Sequence, residues 1–344
     1  MLAYDVFSDD AFKATTITET VGNMVYIPQD LNRMNLFEVE PLLTTTVGLY
    51  KNNETLQFVP TTERGSPRVL PGRDTSKMIQ LPTVNLRQED RINSAEMLNV
   101  MNNHMPFEVA LLRADDEVDK RQRKLMRKLE YTREYHRLAA LQGILLDADG
   151  SVIINYFTEF EITQPAAIVF DFATLDEGEL REYITTMVYR PMMRVLRDRK
   201  GPGTYIAAYC GDEFFDKMLK NPEIRDSYRM QQAGAEMREQ RAWQSLNFAG
   251  VVWMNFMGTD DSAISIPTNQ CKFFPVGAID VFKEYRAPGE EWRAMEAAGL
   301  EFYAYVIPDP RAPNYMAFVD LFLDAHPLFA CIAPETLLRG ILAA

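Results

Sequence analysis

The chain has 344 residues, 47% of them apolar, enough for a sizeable core in one large domain or two to three smaller ones. Its formal net charge of −13 argues against a groove that grips DNA or RNA, which needs clustered Lys and Arg to displace counterions. No uncharged apolar run is long enough to span a bilayer, and the opening MLAYDVFSDDAFKATT has acids where a secretion signal needs a basic and then an apolar stretch, so a cytoplasmic setting is expected.

In chain order, the first thirty or so residues are polar and turn-rich, and predict an extended arm with a short helix. Residues 36–60 are β-rich, with Pro41 arguing against a regular central strand at that point. The segment TTERGSPRVLPGRDTSK holds no helix or strand period and carries Arg64, Arg68, Arg73 and Lys77. Its flanks, ETLQFVP and MIQLPTVNL, have strand character. The expectation is a two-stranded excursion with a flexible basic tip, either a solvated loop or an intersubunit arm.

Residues 106–142 change period. Leu111, Val118, Leu125, Leu129, Thr132, His136 and Ala140 recur on one helical face, and charges of both signs crowd the others. One long, half-exposed helix ending near Gly143 is predicted, and the run from Lys120 to Lys128 is expected to be a solvated face. In LLDADGSVIINYFTEF, the acids Asp147 and Asp149 before Gly150 suggest a calcium loop. With Gly150 at the sixth position, however, Leu145 and Tyr156 would occupy the first and last ligand positions. A β-hairpin turning at Asp149-Gly150, with GILL entering and VIINYF leaving, fits instead.

Next, QPAAIVFDF reads as a strand before a helix that Asp176 can cap, that Pro191 should kink and that Gly201-Pro202-Gly203 ends. TYIAAYC is a strand and DEFFDKMLK a helix; FAGVVWMNFMG, CKFFPVGAIDVFKEYR, GLEFYAYVIPDP and YMAFVDLFLDAHPLFACIAP supply later strands. Strict β-α alternation is absent, so the fold class is α+β.

No chemistry stands out. There is no phosphate-binding glycine loop, no H-E-x-x-H and no G-x-S-x-G. Cys210, Cys271 and Cys331 lie far apart, without a C-x-x-C pair, and suggest buried thiols. His136 falls on the apolar stripe and His326 in a turn; His104 adds nothing to a motif. Asp212 and Glu213 open a helix, where carboxylates stabilise by default. No catalytic residue, cofactor site or metal site is predicted. A long arm, a long loop and a long helix without a site point to assembly.

Those features, with VPTTERGSPRVLPGRD, LAALQGILLDADGS, YCGDEFFDKMLKNPEIRDSY, FFPVGAIDVFKEYRAP and DLFLDAHPLFACIAPETLL in this order, resemble the tailed-bacteriophage major capsid proteins of the lambda major head protein family. The chain departs from that family at DAHPLF, though Pro327 and Leu328 keep the turn. The resemblance implies a Hong Kong 97 type capsid fold. It places an N-terminal arm at 1–35, an extended loop at 50–85, and a peripheral domain at 36–49, 86–164 and 266–310 whose spine helix runs over about 108–142. An axial domain covers 165–265 and 311–344. It further implies a non-enzymatic shell subunit of pentamers and hexamers enclosing double-stranded DNA in a virion assembled in a bacterial cytoplasm, with a separate scaffolding protein, a portal and a decoration protein as partners. Arg64, Arg68, Arg73 and Lys77 are the expected intersubunit contacts; Lys51 and Lys77 are candidates for covalent crosslinking by location only, and no crosslink is expected. An encapsulin-like compartment and a cytoplasmic hydrolase are the alternatives.

Overall fold

The computed structural model describes residues 30–52, 76–96, 107–172, 174, 178–233, 245–256, 264–290, 299–311 and 317–343. Four strands precede the long helix: β1 (Glu38–Pro41), β2 (Thr46–Asn52), β3 (Ser76–Pro82) and β4 (Leu86–Asn93). A short helix, α1 (Asp30–Arg33), leads into them. Pro41 closes β1, an edge strand, where a missing N–H costs no ladder bond. β2 and β3 pair only with each other, antiparallel, from Thr46↔Pro82 to Asn52↔Ser76. The predicted ribbon is therefore present, with its first strand earlier than expected; ETLQFVP and the basic tip lie outside the described residues.

The long helix is α2 (Phe107–Gln142). Val118, Leu125, Leu129, His136 and Ala140 of the predicted stripe are buried, and the basic run is solvated at Lys120, Arg123, Lys124, Arg127 and Lys128. The helix stops where the sequence supplies glycine. Gly143 has φ +80°, and the Phe157 ring fills the space a Cβ would need. The hairpin follows as β5 (Ile144–Leu146) and β6 (Val152–Asn155), with Gly150 at φ +83° and its N–H donated to the Asp147 carbonyl. The exit strand is shorter than VIINYF: Tyr156 and Phe157 start a helical turn, α3 (Tyr156–Glu159), which the Asn155 carboxamide caps by accepting from Phe157 N at 3.1 Å.

The largest sheet has six strands: β7 (Ile168–Phe170), β8 (Tyr205–Cys210), β9 (Ser245–Phe248), β10 (Val251–Asn255), β11 (Gln270–Val276) and β16 (Leu338–Leu342), in the order β7-β16-β11-β8-β10-β9. Parallel and antiparallel pairs mix, as an α+β chain allows. On one face Phe170 and Trp253 meet Phe214, and Phe273 meets Trp253, in edge and stacked contacts with centroids 5.3–6.4 Å apart. FAGVVWMNFMG proves to be a hairpin rather than one strand: Ala249 and Gly250 take φ +55° and +79°, the twist a two-residue turn needs.

The helix after β7 differs from expectation in two ways. It begins as α4 (Glu179–Ile184), and Gly178, in a left-handed conformation without a side-chain cap, occupies the cap position assigned to Asp176, which is outside the described residues. Just before Pro191 the helix passes through a π-turn over Thr185–Tyr189 and continues as α5 (Arg190–Leu196), so the preceding turn accommodates the missing proline N–H. The helix ends at Leu196 with Arg197 at φ +42°, before the glycines. α6 (Asp212–Lys220) and α7 (Pro222–Ala233) follow β8.

Two three-stranded sheets complete the described fold. One orders β1-β12-β15, with β12 (Phe282–Arg286) and β15 (Pro327–Cys331); the other orders β13-β14-β4, with β13 (Tyr303–Pro308) and β14 (Phe318–Ala325). α2 packs against both, its earlier turns on β4 and β14 through Val118, Leu125, Leu321 and Leu323, its later turns on β15. Among the described residues no helix is long and apolar enough to cross a membrane.

Candidate assembly surfaces

Among the described residues, no group of three or more His, Cys, Asp or Glu side chains could hold a metal ion. A cavity of about 640 Å³ opens between Phe170, Lys217, Lys220, Asn221 and Leu342. Its lining is aromatic and aliphatic around Asp171, Lys217, Lys220 and Asn221. His136 is buried and its pKa falls to about 4 because the apolar surroundings disfavour its charged form, with nearby Asp147 opposing. His326 is likewise lowered by burial and faces Asn85 through Nδ1 at 3.0 Å.

Cys210 and Cys271, 61 residues apart in the chain, are directly opposite on β8 and β11, with their sulfurs 3.2 Å apart. Both are buried free thiols. Spacing along the chain could not reveal this, because strand register brings them together. Among the described residues neither has a histidine partner; Cys210 meets Cys271 instead.

Of the four residues expected at subunit contacts, Arg64, Arg68 and Arg73 lie outside the described residues. Lys77 is on β3, more than half exposed, and pairs with Glu161 of the same chain. Its register partner is Lys51, so the outer rungs of the ribbon set two lysines opposite each other. The exposed Met78 follows, whereas Val47, Ile79 and Leu81 nearer the body are buried. The ribbon thus buries apolar side chains near the body and sets two lysines in register at its outer rungs.

The densest electrostatic feature is one that the sequence reading passed over. The charges were read only as crowding the faces of α2 away from its apolar stripe, yet Glu130, Arg133, Glu134 and Arg137 are buried. Arg133 donates to Glu130 at 2.6 Å, to Glu284 of β12 at 2.7 Å, and to Glu301. Burial alone would lower the Arg133 pKa, but the three carboxylates hold it above the ordinary value. Burial would raise Glu284, and Arg133 and Arg286 pull it below normal. Glu134 goes the other way: burial raises it more than Arg137, at 3.0 Å, lowers it. Its other oxygen accepts the Leu31 N–H at 2.8 Å. One cluster therefore ties the long helix to a sheet and to α1. The i, i+3 and i+4 spacing of these four residues was visible; the opposing Glu284, 151 residues from Arg133, was not.

The fold defined by these elements is that of phage capsid proteins. The chain superposes on the crystal structure of a prophage capsid protein of Escherichia coli CFT073 with a TM-score of 0.59 at 9% identity, covering 96% of this chain and 99% of that one. The sequence pattern of the phage major capsid protein E family matches residues 13–342, and the chain belongs to that family. It is 24% identical over 250 residues to the major capsid protein of Salmonella phage Felix O1, covering 67% of this chain and 61% of that protein. It is 20% identical over 150 residues to the major capsid protein of Pseudomonas phage KPP10, covering 39% of this chain and 42% of the relative. The chain thus spans between two fifths and three fifths of these curated relatives. The Hong Kong 97 type fold and α+β class expected from the sequence hold.

Proposed function

We propose that this chain is the shell subunit of a phage head: copies assemble as pentamers and hexamers into an icosahedral capsid that encloses double-stranded DNA. The observation that supports this most is the family match over residues 13–342. The role is structural, without a reaction. Residues 1–35 act as the arm, 50–85 as the extended loop, 36–49, 86–164 and 266–310 as the peripheral domain, and 165–265 and 311–344 as the axial domain. A separate scaffolding protein, a portal and a decoration protein complete the set of partners, with assembly in the bacterial cytoplasm before the chain resides in the virion.

In this reading Arg64, Arg68 and Arg73 meet carboxylates of the adjacent subunit, and Lys77 moves from Glu161 to such a partner or shares both. Charge-assisted contacts of this kind fix register and weaken with salt where exposed. Electron microscopy of the chain, expressed alone and with its neighbouring genes, tests the proposal. Closed shells, or pentamers and hexamers, are expected; a uniform monomer or dimer under every condition overturns it. Replacing the three arginines with Ala should reduce particle yield, most strongly at low salt, where the contacts are least screened. Unchanged particles at low and high salt would remove these residues from the contact.

A further inference from the structure

Lys272 of β11 and Arg339 of β16 are directly opposite, and so share one face of the six-stranded sheet. Two like charges in that arrangement destabilise a sheet unless something neutralises them. Among the described residues neither has a carboxylate partner, although the chain carries 49 acids against 36 bases. The pKa of Lys272 falls to about 8, first through burial and then through Arg339. This face lies opposite the aromatic cluster. Arg339, Val169 and Tyr205 are exposed on it, and Ile341, Val252 and Met254 are partly so.

The chain enters on the same face. Tyr209, the register partner of Lys272 on β8, donates its hydroxyl to the Met34 sulfur at 2.8 Å. Residues 1–29 precede α1 and this methionine in the chain. They carry Asp5, Asp9, Asp10 and Glu19 against Lys13 alone, mixed with Leu2, Val6, Phe7, Phe12 and Val21. At about 3.3 Å per extended residue, reach does not limit them.

We propose that in the unassembled subunit the acidic segment 1–29 docks on this face of its own chain, setting carboxylates against Lys272 and Arg339 and apolar side chains against Val169, Val252 and Ile341. A nucleic-acid phosphate would satisfy the cations but not the apolar surround, and the segment satisfies both. Leaving this face would expose the cation pair to whatever the subunit meets next.

The test is zero-length carbodiimide coupling of the unassembled full chain, prepared as a mixture of unlabelled and ¹⁵N-labelled protein and read by peptide mass mapping. Lys272 should join Asp5, Asp9, Asp10 or Glu19 within one isotopic population. In parallel, acetylation of Lys272 by acetic anhydride should be severalfold faster in the full-length variant carrying Asp5→Asn, Asp9→Asn, Asp10→Asn and Glu19→Gln. Equal acetylation rates overturn the proposal, as do links from Lys272 to acids elsewhere in the chain. Links between isotopic populations assign the face to a second copy, and protection that appears only on adding duplex DNA assigns it to phosphate; either result also overturns docking of the chain on itself.

Discussion

The two halves of the long helix carry the same alternation of acids and bases, and the structure uses them in opposite ways. At Arg123 the pairing sits in solvent: it reaches Asp119 only at 3.9 Å, with side-chain exposures of 62% and 37%. Around residues 130–137 the Arg133 side chain is 1% exposed and bonded to three carboxylates. Local charge pattern states which residues can pair along a helix; what packs opposite decides whether the pairs matter. Exposed pairs contribute about 0–1 kcal/mol, while removing one partner from a buried cluster leaves a charge without compensation.

Mutation at the buried end gives the largest expected effect. Arg133→Ala removes the buried cation shared by Glu130 and Glu284, leaving them Arg137 at 3.6 Å and Arg286 at 2.7 Å, and should lower the unfolding free energy by about 3–5 kcal/mol in urea titrations. A loss under about 1 kcal/mol would place the cluster with the exposed pairs.

Next comes pH. His136 lies in the same stretch of the helix, next to Arg137, with a folded-state pKa of about 4. The unfolded chain, with a His pKa near ~6.5, takes up a proton in this window that the folded chain refuses, so stability falls as pH drops from about 6.5 toward about 4. The loss from this residue should approach ~2–3 kcal/mol. His136→Leu should flatten that part of the pH profile, and an unchanged slope would assign it elsewhere. At the exposed end, Arg123→Ala should change stability by less than about 0.5 kcal/mol, and addition of salt should remove even that difference.

The comparison also marks how far the sequence could be read. The helix was legible because its stripe repeats over many turns and ends at a glycine, and the hairpin because Asp149-Gly150 suits only a few backbone conformations. These signals are local. Burial of Arg133 was hidden because it depends on Glu284 and Glu301, which arrive from later in the chain. The Cys210–Cys271 contact depends on strand order, which no spacing rule encodes. The π-turn before Pro191 was missed for a different reason: proline forbids one hydrogen bond but does not dictate how the preceding turn absorbs the loss. The basic residues Arg64, Arg68 and Arg73 were legible as a cluster in a loop, while their partners belong to another molecule in the proposed assembly.

The two ion-pair groups on the long helix also set its rotational phase. Arg121 engages Asp90 and Glu96 near β4, and Arg133, twelve residues on, engages Glu284 in a different sheet. Each residue advances the helix by about 100°, so inserting a single residue between them turns one group away while the other stays bound. The helix behaves as a keyed shaft between two sheets, cut at Gly143 by the Phe157 ring, and its teeth are charges.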